Sequence, residues 1–227
     1  MANPLNIDVE SIKRVIQDSV DSARKVLDEL DQAREQLIRL SRDVIRESGR
    51  AIVEVHKGDL DAAVDHMRKC EEATMNLLSL ARRYPQLLYT GLVNNAVSEY
   101  VEAKLFLALV TEGRLPSYEE LASIGIPLVP YLQGLGDLVG ELKRLALESV
   151  RKSDYETAWR LLGVAEAVYL ELQTLDYPDA LLPGVRRKAD VARRIVDDLK
   201  AILVDLSKRD ELARLLRLNL ESLGGSG

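Results

Sequence analysis

Residues 8–56, DVESIKRVIQDSVDSARKVLDELDQAREQLIRLSRDVIRESGRAIVEVH, read as one uninterrupted helix, and that reading decides the fold. Apolar side chains fall at Ile12, Val15, Ile16, Val20, Ala23, Val26, Leu27, Leu30, Leu37, Ile38, Val44, Ile45, Ile52 and Val55. This is the three-and-four alternation of a helical stripe. No proline interrupts the run. Asp8 stands where an N-cap is wanted, and Gly58 supplies the stop. At the α-helical rise the segment is about 70 Å long, more than a small bundle can cover. A stripe sustained that far wants a partner helix from another subunit, so the sequence predicts a homo-oligomer.

Working outward, a second helix is predicted from about Leu60 to Arg83, stopping before Pro85. A third runs from about Gln86 to Glu112 and ends at Gly113. Ser117 to Glu120 form a capping-box pattern that opens a short helix. A fifth spans about Val129 to Ser153, a sixth reaches Leu175, and a seventh covers about Val185 to Lys208. Asp210 to Leu223 read as a further short helix and Gly224 to Gly227 as a flexible tail. The expected fold class is all-α: a bundle of about seven helices, with a very long first one, in a single domain over 1–227.

Composition agrees. Of 227 residues, 47% are hydrophobic, 30% charged and only 4% aromatic, which suits helices and argues against a β-sandwich or barrel. A lone cysteine, Cys70, excludes an internal disulfide framework and a cysteine-rich zinc site, and it fits a reducing, cytoplasmic setting. No apolar run is long enough to span a membrane, and Met1 to Asp8 do not read as a targeting segment. The net charge of -6 weighs against a general electrostatic grip on nucleic acid, so any such contact must be local or metal-assisted.

On the third helix Asn94, Asn95, Ser98, Glu99 and Glu102 share one sector of about 140° that contains no Lys or Arg. Glu99 and Glu102 are neighbours at i,i+3, and two carboxylates that close repel unless a cation or proton lies between them. On the fifth helix Asp137 and Glu141 stand at i,i+4, flanked by Gly134, Gly136 and Gly140. Interior glycines are costly in a helix, so three in seven residues imply a close approach by another helix or by a substrate. If the two helices pack face to face, four carboxylates meet, and an oxygen-only set suits Mg²⁺ or Mn²⁺. The plainer reading is a solvated acidic surface, as expected for Glu71-Glu72 and Asp197-Asp198. A di-iron bundle wants Glu-x-x-His pairs that this chain lacks. His56 and His66 read as surface or boundary residues, Cys70 and Trp159 as core, with interface an alternative for Trp159, and Tyr100 as packing.

Ser98 to Ala103 (SEYVEA), followed by Gly134 to Arg144 (GLGDLVGELKR), resembles the translin and TRAX family, whose TRAX branch carries EYVEA and GDLTGELMR-like segments. Leu40 to Ile45 resembles its SRD element, and the likeness runs from about residue 10 to 205. The resemblance implies an all-α subunit in a hollow octameric barrel. It also implies, for the TRAX branch, a Mg²⁺-dependent endoribonuclease acting on single-stranded RNA and on the nicked strand of a duplex. On this resemblance Glu99, Glu102 and Asp137 are the catalytic acids, and Glu141 joins them as a fourth metal ligand. The basic segment that translin uses for nucleic acid is not matched here. The alternative is a non-catalytic RNA- or ssDNA-binding scaffold of the translin type.

Arg39, Arg42, Arg46 and Arg50 recur at spacings of three and four and form a stripe that Lys57 extends. Together with Lys143 and Arg144 they are the candidate RNA contacts. Asp43, Glu47 and Glu54 lie beside the stripe, and pairing within the helix is the competing reading.

Overall fold

The computed structural model describes the backbone of residues 7–88 and 91–224, and the side chains of 7–87 and 91–216. The described chain is helical throughout, without strands: α1 Val9–Lys57, α2 Leu60–Arg83, α3 Pro85–Leu88, α4 Gly91–Glu112, α5 Tyr118–Ser123, α6 Leu128–Arg151, α7 Tyr155–Gln173 and α8 Val185–Gly224. The all-α expectation holds, with one correction to the element list. Of the helix expected from Gln86 to Glu112, the described residues form α3 and α4, and residues 89–90 lie outside the described set. Asp210 to Leu223 is no separate helix: the α8 backbone runs unbroken to Gly224. Of the expected tail, residues 225–227 lie outside the described residues.

Local chemistry sets the boundaries. The Asp8 carboxylate accepts the Ser11 amide at 3.2 Å and opens α1. Gly58, at φ 83°, ends it in the left-handed conformation that costs other residues most. Asp59 caps α2, Asp154 caps α7, and Ser117 with Glu120 completes a reciprocal capping box on α5.

Helix α4 is central: it packs against α1, α2 and α6, and α6 in turn carries α7 and α8. Its near-complete burial follows from a sequence that is apolar on most of its circumference, with Val93, Val97, Val101, Leu105 and Phe106 in the core. Cys70 is fully buried, as expected, 3.0 Å from the Ser48 hydroxyl, and burial pushes its thiol up to about 11. Tyr100 is also buried and packs, its hydroxyl donating to Glu71. Glu71 faces solvent as expected, with its side chain 41% exposed, and also accepts from Tyr100 and from Lys104 at 3.0 Å. Trp159 is 38% exposed, so it stands outside the core of the subunit.

Only the second half of α1 is covered. Ala33, Leu37, Val44, Ala51, Ile52 and Val55 are buried, whereas Ile12, Val15, Ile16, Val20, Val26 and Leu27 face solvent along the same stripe.

Candidate metal and nucleic-acid site

Glu99 and Glu102 project from the middle of α4 toward α6, where Asp137 and Glu141 stand one turn apart. The helices meet closely because Gly134 has no side chain: a Cβ there would come within 2.7 Å of the Ser98 carbonyl oxygen and 2.8 Å of the Val101 Cβ. Gly136 admits α8 in the same way, since its Cβ would lie 2.9 Å from the Lys188 Cβ. Gly140 differs: nothing lies within 4 Å of its Cβ position, so close packing does not explain it. The expected close approach thus holds at two of the three glycines.

All four acids feel one another. Burial is the main influence on Glu102, and the charges of Asp137, Glu99 and Glu141 add to it, so its carboxyl is pushed up to about 8. Burial, with Asp137 and Glu141, raises Glu99 as well, while Lys188 opposes both shifts. The two pairs are held differently. Neither Glu99 nor Glu102 has a hydrogen-bond or ion-pair partner among the described residues, although Glu102 is only 9% exposed. Asp137 takes both oxygens to Lys188 Nζ, at 2.5 and 2.7 Å. Glu141 meets His56 Nε2 at 2.5 Å, and Arg144 stands 4.0 Å away.

The expected face-to-face meeting of acids from two helices is therefore present, but with cationic neighbours that the sequence reading did not foresee. Among the described residues no three His, Cys, Asp or Glu side chains stand together at ligating distance. Four carboxylates in one cleft repel, and Asp137 and Glu141 relieve this by turning to Lys188 and His56. The donor chemistry is that of a hard divalent cation all the same: every donor is a carboxylate oxygen, and the Glu99/Glu102 pair has no protein partner among the described residues.

His56 is a half-buried boundary residue, as the surface-or-boundary reading allows, but its tie to Glu141 is one that reading did not foresee. Its side chain is 8% exposed and its ring centroid lies 4.9 Å from that of Phe106. The signal was its place on the stripe, four residues after buried Ile52. His66 sits at a boundary, 2.7 Å from Glu47, on the other side of the bundle's first helix pair. Lys188 had no distinguishing signal, because it stands in a run with Arg186 and Arg187.

The arginine stripe on α1 is exposed but divided. Arg46 pairs with Asp43 at 2.7 Å and Glu47 at 3.2 Å, and Arg50 pairs with Glu47 at 3.0 Å. Arg39 and Arg42 have no such partner among the described residues. Lys143 reaches Asp198 on α8 at 3.3 Å, and Arg144 is 60% exposed at the rim beside Glu141.

Known proteins are similar to this chain over most of its length. The chain is 30% identical to an uncharacterized protein of Methanocaldococcus jannaschii over 82% of this chain and 83% of that one. It is 22% identical to a translin-associated protein X homolog of Schizosaccharomyces pombe, covering 88% of this chain and 92% of that protein. A structure described as AfC3PO in complex with duplex RNA superposes with a TM-score of 0.75 at 30% identity, over 87% of this chain and 98% of that one. A sequence model of the Translin family matches residues 32–210, well over half of the chain. The chain belongs to the translin family.

Proposed function

We propose that this protein is a metal-dependent endoribonuclease that cuts single-stranded RNA, or the nicked strand of a duplex, inside an oligomeric helical barrel. The observation that carries the reading is the Glu99/Glu102 pair: two inward carboxylates without partners, opposite Asp137 and Glu141. Glu99, Glu102, Asp137 and Glu141 would hold Mg²⁺ or Mn²⁺, which when bound supplies a Lewis acid and a water acidified enough to attack phosphorus. One of the two α4 glutamates, ionised once the cation offsets the crowding of the acids, would take the proton of that water. Lys188 keeps Asp137 oriented and brings a positive charge to the edge of the cleft. Arg144, exposed at the rim, is placed to hold a phosphate oxygen.

Support for RNA comes from family membership and from the relative solved with duplex RNA. The bare apolar face of α1 supports assembly with further copies, and the family resemblance makes a homo-octamer the expected size. Among the described residues no helix is long and apolar enough to cross a membrane, and buried Cys70 suits the cytoplasm. We place the whole chain in one domain.

A second reading has its own observation. The Asp137–Lys188 and Glu141–His56 pairs are also what a non-catalytic RNA-binding scaffold would show. The two separate cleanly: Glu102→Ala and Asp137→Ala should each abolish Mg²⁺-dependent cleavage of labelled RNA while helicity and assembly persist. A scaffold would bind RNA with or without EDTA and cut it in neither case.

A further inference from the structure

Beside Asp137 the surface opens into a groove of about 570 Å³ walled by α4, α6 and α8. Its polar lining includes the Ser98 hydroxyl and the Asp137 carboxylate, the latter held by Lys188, and two further kinds of group. Asn94, Asn95 and Gln133 contribute amides; Arg187 and Lys188 contribute cations. The polar sector of α4 is thus split by function along its length, with amides on the turns before Glu99 and Glu102 facing the groove and carboxylates facing the cleft.

Some of the groove's groups are engaged and others are not. Gln133 donates to the Pro183 carbonyl at 2.7 Å, and Lys188 holds Asp137. Arg187 is exposed and has no hydrogen-bond or ion-pair partner among the described residues, and neither do the Asn94 and Asn95 side chains. Some exposed cations elsewhere are tied up, as Arg46 and Arg151 are, and others, such as Arg39 and Arg42, have no partner among the described residues. Helix α8 begins at Val185, so the positive end of its dipole lies at the same concavity. An ordinary surface explains one free arginine. It does not explain amides and cations from three helices converging on a groove that shares Asp137 and Lys188 with the acid cleft.

We propose that this groove holds the stretch of RNA strand adjoining the bond presented to the acids. The planar Arg187 fork takes a phosphate in two parallel hydrogen bonds. Asn94 and Asn95 donate to phosphate or ribose oxygens. Lys188 stands at the junction, between the held phosphate and Asp137. The arrangement gives an acidic protein a local grip on a polyanion, in keeping with a net charge of -6. The inference rests on the RNA reading above, but its test does not depend on cleavage.

Binding of a short fluorescein-labelled single-stranded RNA is followed by anisotropy in EDTA over a range of salt, for the parent, Arg187→Gln, Asn94→Ala and Arg187→Lys. Arg193→Gln, on the same helix but outside the groove, is the control. Arg187→Gln should weaken binding roughly tenfold and lower the slope of log affinity against log salt by about 1. Arg187→Lys should restore the slope but only part of the affinity, and Asn94→Ala should weaken binding with the slope unchanged. With Mg²⁺ present, the loss in Arg187→Gln should fall on KM more than on kcat. Parent-like affinity and slope in Arg187→Gln and Asn94→Ala, or losses matched by Arg193→Gln, would overturn the proposal. Groove variants that lose binding in a protein that never cuts RNA would leave this inference standing and remove the nuclease reading. Cleavage that persists with groove variants unaffected would do the reverse.

Discussion

His56 Nε2 lies 2.5 Å from Glu141 Oε2, joining the last turn of α1 to the middle of α6 across 85 residues of sequence. The imidazole is packed against Phe106 of α4, so one side chain ties together three helices that frame the acid cleft. Lys188 of α8 holds Asp137, joining α8 to α6. The two acids of α6 are fixed from outside the cleft, and the two of α4 are not.

His56→Ala should therefore cost more than a surface substitution. It removes a hydrogen bond to a charged group and leaves a gap beside Phe106, a loss of about 2 kcal/mol or more. Urea unfolding of the parent and variant measures it. A difference within error would mean that the pair is incidental.

Gly134→Ala probes the close contact of α4 and α6. The added methyl would press on the Ser98 carbonyl and on Val101, and overpacking of this kind costs about 1–3 kcal/mol. Thermal unfolding should show the loss. Gly140→Ala is the companion: its Cβ position is open, so it should be neutral or stabilising.

The elevated Glu102 carboxyl gives stability a definite pH dependence. The unfolded chain releases this proton near the ordinary value of 4.5, while the folded chain keeps it to about 8. The folded state binds more protons between those limits, so this group lowers stability as pH rises through the window, and the penalty is complete above about 8. Glu102→Gln should melt higher than the parent at alkaline pH, with the gap closing toward pH 4.5. Equal melting curves at all pH values would contradict the burial and crowding assigned to Glu102.

The α1 stripe predicts the outcome of placing a charge on its exposed apolar half. Val9, Ile16, Ala23, Leu30, Leu37, Val44 and Ala51 recur every seventh residue. The last three are buried, while Val9 and Ile16 are more than half exposed. Ile16→Asp and Leu27→Asp should reduce the mass seen by light scattering without lowering helicity, because no contact within the subunit is lost. An unchanged mass would show that assembly uses other surfaces.

Much of this was legible in the sequence. The stripe of α1, the cap at Asp59 and the stops at Gly58 and Pro85 are local signals that tertiary packing had no reason to override. The two acid pairs were legible because each lies on one helix at helical spacing. Their cationic neighbours were not: His56 and Lys188 reach the cleft from α1 and α8, and no spacing rule spans 85 or 51 residues. The arginine stripe was seen, yet its division into paired Arg46 and Arg50 and free Arg39 and Arg42 depends on which carboxylates lie within reach.

The central claim is tested most directly by incubating the purified protein with internally labelled single-stranded RNA, with Mg²⁺ or with EDTA. Internal cuts should appear with Mg²⁺ and vanish with EDTA, and the double variant Glu99→Gln/Glu102→Gln should leave the strand whole while keeping its assembly. Intact RNA with the parent protein and Mg²⁺, or equal cutting by the double variant, would contradict the account.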